Sequence, residues 1–296
     1  MKIISILKSN FQDYIVQKFL SFKLNKRNFN KTFRLDQKNI SQNKTKHWTS
    51  STQIIANNIK AYGLNFFLRF NIIKGTMFLH DEELCTSILS KKVIQRYKSY
   101  LVENSFGHPI LSKKYKFTSI NKLHQFHHLL FLKKNLNFNL NNKNILEIGG
   151  GYGLLSSIIF KFLKPKKIVI FDLKVFNFIQ KIYLQNILKK NIMNKFNFFN
   201  NLNLTRTFFN NTKPNITFAM WSLSEMPINL REQLIPIIFK SDIILIGYQS
   251  KFENINNFTY FKNIRIKKLN YEFKNVKVPY LKDNYYLLCK KKYEKK

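Results

Sequence analysis

The sequence predicts an α/β fold: a mostly parallel sheet ending in an antiparallel hairpin over residues 141–296, preceded by a mainly helical region over residues 1–140. Three observations carry this expectation. Beyond Asn141, short apolar runs alternate with helical stretches, which is the pattern of strand–helix–strand units. The segment ILEIGGGYGLL, 145–155, holds four of the chain's eight glycines between Gly149 and Gly153, at the junction of the first run and the first helical stretch. Two further apolar runs near the C-terminus are close enough in sequence to pair antiparallel.

Taken in order, the chain opens with apolar residues at positions 4, 7, 11, 15, 19 and 22. Their spacing predicts an amphipathic helix packed on the domain. Lys8 and Asp13 interrupt it too early for a signal peptide or a membrane span. Asn25 to Thr52 is rich in Asn and Lys and reads as a loose connector. Helical patterns dominate from Gln53 to Lys134, ending in TSINKLHQFHHLLFLKK, where Ile120, Leu123, His127 and Leu130 share a face and Thr118 or Ser119 can cap. Strands are expected at 144–149, 167–172, 195–200, 215–220 and 242–248, with helices at 152–163, 174–190 and 228–240. The terminal hairpin is expected from 263–270 and 284–290.

Composition bounds the function less sharply. The net charge is +36, from 51 Lys and Arg against 15 acids, which would suit a polyanionic partner. The lysines, however, fall in nearly every block of ten rather than in one stripe, and Ala occurs only at 56, 61 and 219. That pattern reads as a compositional bias across the whole gene, so a nucleic-acid partner is possible but not favoured. Cys85 and Cys289 have neither disulfide-framework nor zinc spacing, which fits a reducing cytoplasm.

The glycines let the backbone turn sharply and approach a ligand without Cβ atoms in the way. A dinucleotide fingerprint would want a small residue at 154, where Leu154 stands, and a phosphate-binding P-loop would want Gly-Lys-Ser/Thr. Instead the chain reads E-x-G-x-G-x-G through Glu147, Gly149, Gly151 and Gly153. This resembles the first motif of the class I S-adenosylmethionine-dependent methyltransferases, and the resemblance implies a Rossmann-like sheet with S-adenosyl-L-methionine held by Glu147, Gly149, Gly150, Gly151 and Gly153. Asp172 stands 23 positions after Gly149, at the end of the second strand, where a carboxylate can accept both ribose hydroxyls; it could also cap the following helix. Leu173 and Trp221 complete the expected cofactor contacts.

Three stretches, EIGGGYG at 147–153, FDLKVFNFIQKIYLQ at 171–185 and WSLSEMP at 221–227, are similar to a family of sugar O-methyltransferases. The likeness covers roughly 100–250. Asp172, Leu173, Gln180, Tyr183 and Leu184 meet the second pattern, with Ile179 in place of Leu; Ser224, Glu225 and Met226 meet the third, with Trp221 where many members have Asn. SFGHP, 105–109, is similar to a Gly-Asn-Pro segment of such proteins, with His108 replacing Asn.

The resemblance implies methyl transfer to a sugar hydroxyl of a glycan or glycan precursor. Such a hydroxyl needs a group to orient it or take its proton. Glu225 follows the fourth strand on the ligand-binding edge, with Ser222, Ser224, Gln180 and Tyr183 as acceptor contacts; Ser224 and Glu225 could equally be helix-start residues before Pro227. His127 and His108 are the alternative bases. His124 and His128 are four apart but lack a carboxylate at matching spacing, so no metal is expected. Two rival readings stand beside this one. An RNA methyltransferase would suit the charge, but neither an Asn-Pro-Pro-Tyr nor a Pro-Cys motif occurs. A noncatalytic protein that keeps the fold is the other.

Overall fold

The structure is a computed structural model and describes residues 45–293 apart from 80, 137, 138 and 189. The amphipathic helix expected over 1–24 therefore lies outside the described residues, as does the connector up to 44.

Seven strands form one sheet: β1 Asn144–Ile148, β2 Lys167–Phe171, β3 Phe196–Phe199, β4 Ile216–Met220, β5 Ile243–Gln249, then, after a small two-stranded ribbon of β6 Lys251–Phe252 and β7 Ile255–Asn256, β8 Tyr271–Lys277 and β9 Asn284–Lys291. The order is β3-β2-β1-β4-β5-β9-β8, with β1–β5 parallel and β9 antiparallel to both β5 and β8. This is the expected Rossmann-like arrangement with its terminal hairpin at one edge.

The parallel strands read as continuous Ile, Val, Leu and Phe because both faces are covered. Alternate residues serve different layers. Ile145, Ile168, Ile170, Ile216, Phe218 and Leu245 face the cluster that includes the N-terminal helices. Leu146, Ile148, Val169, Ala219, Ile244 and Ile246 face the cluster that includes Leu230, Leu234 and Phe261. Edge strand β8 shows one half-wet face and carries Glu272, Lys274 and Lys277 at exposed positions, which guards an open sheet edge.

Several sequence-based expectations are corrected. Lys46–Tyr62 is one helix, so the last residues assigned to the connector are ordered. The helix Ile120–Asn135 is capped by Ser119, whose side chain accepts from Lys122 N at 3.0 Å. It is covered around most of its circumference rather than on one stripe: Leu123, Phe126, His128, Leu129 and Leu132 are fully buried, whereas His127 and Leu130 are half-buried. The strand expected at 263–270 is instead the end of the helix Asn257–Lys267, capped by Asn256 onto Thr259 N at 3.0 Å. Ile264 and Ile266 mimic strand alternation, but the buried set is Asn257, Phe261 and Ile264, which has helical spacing. The pairing strand begins at Tyr271. The helix Leu202–Asn211, which the sequence reading missed, starts at Asn201, whose side chain accepts from Asn203 N and Leu204 N.

Candidate active site

The carboxyl ends of β1, β2 and β4 converge where the strand order reverses direction from β1, the place an open α/β sheet offers a ligand. After β1, Gly149 turns with φ +69° and donates its N–H to Phe171 O at 2.8 Å, tying the turn to β2. A Cβ on Gly149 would fall 2.1 Å from Ser222 Cβ, so only glycine lets the loop after β4 close on the turn. Ser222 Oγ donates to Ile148 O across that junction. Gly151, φ +57°, faces open space: its Cβ would meet only Met77 Sδ at 3.6 Å. Gly153, φ +95°, forms the N-cap of the helix Leu154–Leu163.

Asp172 is clasped from three sides. Its Oδ1 accepts from Leu173 N at 2.7 Å, and its Oδ2 accepts from Gly151 N at 3.1 Å and Gln180 Nε2 at 2.7 Å. Gln180 Nε2 also donates to Gly151 O at 2.9 Å, so one buried amide braces both the turn and the acid. Burial outweighs these bonds and pushes the Asp172 carboxyl up to about 7. Glu147, buried behind the turn and accepting from Ser156 Oγ, is likewise raised by burial to about 7.

Beyond β4, Trp221 adopts φ +60°, a conformation costly for a bulky residue. Its N–H is held by Gly247 O at 2.7 Å and its indole Nε1–H by Asn284 Oδ1. A short 3-10 turn, Ser222–Glu225, follows. Buried Arg231 staples this turn, donating to Ser224 O at 2.5 Å, Met226 O at 2.7 Å and Asn257 Oδ1 at 2.6 Å. Glu225 accepts from Trp48 Nε1 at 2.9 Å and from Gln249 Nε2 at 3.3 Å, and burial raises its carboxyl to about 7.

These pieces enclose a cavity of about 970 Å³. Glu147, Asp172 and Glu225 line it, against Lys174 as the sole lysine or arginine of the described lining. Amides are abundant there, among them Asn121, Gln125, Asn200, Asn201 and Asn284, and aromatic walls come from Trp48, Phe78, Phe176 and Trp221.

Of the residues singled out in the sequence, Glu147, Gly149, Gly150, Gly151, Asp172, Leu173, Trp221, Ser222 and Glu225 line this one cavity. The others stand elsewhere. Gly153 is a helix cap, and Gln180 works from behind the turn. Tyr183 is 2% exposed and packs edge-on against Tyr152 in the core. Ser224 is buried, donating to Trp221 O at 2.6 Å and Gln249 Oε1 at 2.9 Å. His108 lies against Phe66 with its ring centroid 4.9 Å away, and Arg69 Nε donates to its carbonyl at 2.8 Å. His127 joins a buried knot: its Nδ1 is 3.1 Å from both Tyr280 Oη and Tyr286 Oη, and burial lowers its pKa to about 4. The histidine that does line the cavity is His124, one helical turn earlier, with its Nδ1 3.1 Å from Tyr280 Oη and its pKa lowered by burial to about 3. Trp48, Thr45 and Asn121 also reach the cavity from the N-terminal region. Their one signal in the sequence was that Trp48 is one of only two tryptophans.

No protein-family model matches the chain, and no curated protein matches it. Among solved structures it is similar to the methyltransferase domain of bacterial CtHen1, with a TM-score of 0.47 and 12% identity over 58% of this chain and 99% of that one. It is similar to an rRNA methylase from Streptococcus thermophilus, with a TM-score of 0.41 and 10% identity over 56% and 94% of the two chains. It is also similar to the 16S rRNA methylase ArmA, with a TM-score of 0.39 and 12% identity over 68% and 97%. At these values none of them bears on what this chain binds.

Proposed function

We propose that this chain is an S-adenosylmethionine-dependent methyltransferase acting on a hydroxyl of a neutral sugar, as part of a glycan or glycan precursor. The observation that carries the reading is the acidic lining: in a chain of net charge +36 with 15 acids, the described residues set three acids around one cavity beside a single lysine. Such a lining favours a cationic ligand and disfavours phosphates. S-adenosylmethionine carries a sulfonium and an ammonium, and lacks phosphate.

The residues present fit that cofactor. Gly151 opens onto space a Cβ would enter, Asp172 stands at the β2 edge where ribose hydroxyls would meet a carboxylate, and Glu147 lies behind the turn that would hold the amino-acid part. Ligand pockets span roughly 300–1,000 Å³, so about 970 Å³ has room for a second molecule beside the cofactor. When bound, the cofactor supplies an electrophilic methyl group. Ser222 and Glu225 are the acceptor-side groups on the loop after β4. Glu225, with a carboxyl near 7, is tuned to take a hydroxyl proton at neutral pH, since a base works best when its pKa lies near the working pH. Phe78, Phe176 and Met220 line the cavity with apolar surface that excludes water.

The net charge favours RNA as a second acceptor, because neutralising phosphates is what a basic protein does best. The scarcity of cations in the cavity weighs against it. Incubation with labelled S-adenosylmethionine and separate pools of neutral glycans, nucleotide sugars and RNA tests both. Label in a neutral glycan supports the reading; label only in RNA, lost steeply as salt rises, replaces it; intact cofactor binding with no label anywhere leaves a binding protein. A cytoplasmic location belongs to the same reading and accords with Cys289 being free and buried. Among the described residues no helix is long and apolar enough to cross a membrane.

A further inference from the structure

Two residues that line the cavity, Thr45 and Asn121, 7% and 4% exposed, each carry a buried side-chain oxygen, Thr45 Oγ1 and Asn121 Oδ1, with no hydrogen-bond partner among the described residues. Buried polar groups are almost always satisfied, so each such atom calls for an explanation. Both come from the N-terminal region, outside the strands and turns that frame the glycine turn. Asn121 is fixed by donating its Nδ2 to Tyr152 Oη at 2.9 Å, which aims the free oxygen elsewhere. Thr45 immediately precedes the helix Lys46–Tyr62 and stands three residues before Trp48. Trp48 is half-buried, lines the same cavity, and packs edge to face with Phe176 at 5.6 Å between ring centroids. Its Nε1–H is committed to Glu225 Oε2 at 2.9 Å.

We propose that Thr45, Trp48 and Asn121 form, with Glu225, an acceptor subsite for a neutral, polyhydroxylated ring. Hydroxyl donors of a sugar would satisfy Thr45 Oγ1 and Asn121 Oδ1, and the indole of Trp48 would bear on the ring's C–H surface. Trp48 is at the same time a positioning residue, because its Nε1–H fixes the carboxylate that meets the acceptor hydroxyl. A phosphodiester would meet three acidic residues and a single cation, as Lys174 is the sole lysine or arginine lining the cavity among the described residues. The subsite rests on the acceptor chemistry of the proposed function but not on the identity of its cofactor.

The test titrates the full chain with neutral methyl glycosides and, separately, with a short oligouridylate, each with and without saturating S-adenosylhomocysteine. The expected result is that at least one glycoside binds and that Trp48→Ala and Thr45→Val each weaken it by roughly fivefold or more while the shift in melting temperature caused by S-adenosylhomocysteine is unchanged. Trp48→Phe keeps a ring and removes only the Nε1 donor. It should retain most glycoside affinity and move the acid limb of the turnover profile to higher pH, because the indole bond stabilises the ionised carboxylate; a tryptophan that only packs would leave that limb in place. Glycoside binding without any response to S-adenosylhomocysteine sinks the proposed cofactor and keeps the subsite. Glycosides that fail to bind, that bind equally to wild type, Trp48→Ala and Thr45→Val, or that are outdone by oligouridylate in a Trp48-dependent manner overturn it.

Discussion

In the proposed function single residues divide the cofactor side of the cavity from its acceptor side, and substitutions should separate the two. Gly151→Val would place a branched side chain where φ is +57° and where only Met77 now approaches, so it should abolish stabilisation by S-adenosylmethionine. Asp172→Ala removes the carboxylate clasped by Gly151 and Gln180 and should weaken that stabilisation; a normal response would leave Asp172 as a brace for the turn. On the other side, Glu225→Gln keeps the shape of the side chain but cannot take a proton. Turnover should fall by roughly tenfold or more with cofactor affinity kept, and unchanged turnover would move the base elsewhere. Glu147, Gly149, Gly151 and Asp172 were legible in the sequence because a strand-to-helix turn fixes them by local spacing. Trp48, Asn121 and His124 were not, because only tertiary packing brings elements so distant in sequence to Glu225 and Trp221. Gln180 was noticed for its place in a motif, yet the structure gives it the work of bracing rather than contact.

At the scale of elements, the helix Ile120–Asn135 is docked on the sheet by a neutral knot of His124, His127, His128, Tyr280 and Tyr286. Tyr286 Oη lies 2.8 Å from His128 Nδ1 and 3.1 Å from His127 Nδ1, and it is fully buried on β9. Tyr286→Phe should therefore cost about 1–3 kcal/mol by leaving the buried His128 Nδ1 unpaired, while His127 Nδ1 keeps Tyr280 Oη, measurable by urea unfolding. A loss much below this range would mean that water replaces the hydroxyl. The same docking sets Trp221, whose ring lies 5.0 Å from that of His124 and 5.4 Å from that of His128. Elements were readable from sequence where both faces are buried, as in β1, β2, β4 and β5, since continuous apolar runs between helical stretches allow little else. The segment 263–270 was misread because Ile264 and Ile266 alternate locally while the burial pattern is set by Phe261 and Ile264 against β5 and its neighbours.

For the whole molecule, charge and pH follow from where the few acids sit. Burial raises Glu225 from 4.5 to about 7, so its protonated form is favoured in the fold; the stability it contributes is full below about 4.5 and is lost as pH rises through about 7. Glu225→Gln removes that loss, so the variant's stability should gain on wild type across this window, by at most ~1.4 kcal/mol per pH unit; parallel profiles would mean the carboxylate is already well solvated. A bound cation reverses the sign by favouring the ionised acids, so stabilisation by S-adenosylmethionine should grow from pH 6 to pH 8 more than that by uncharged-sulfur S-adenosylhomocysteine. If the acidic cavity is a site for S-adenosylmethionine, thermal unfolding with S-adenosylmethionine, S-adenosylhomocysteine, NAD or ATP at equal concentration will show it. The first two should raise the melting temperature, by about 2.7 kcal/mol of stability at a hundredfold excess over Kd, and the other two should not. No shift with either methyl-cofactor species at millimolar concentration, or an equal shift with ATP, would contradict it.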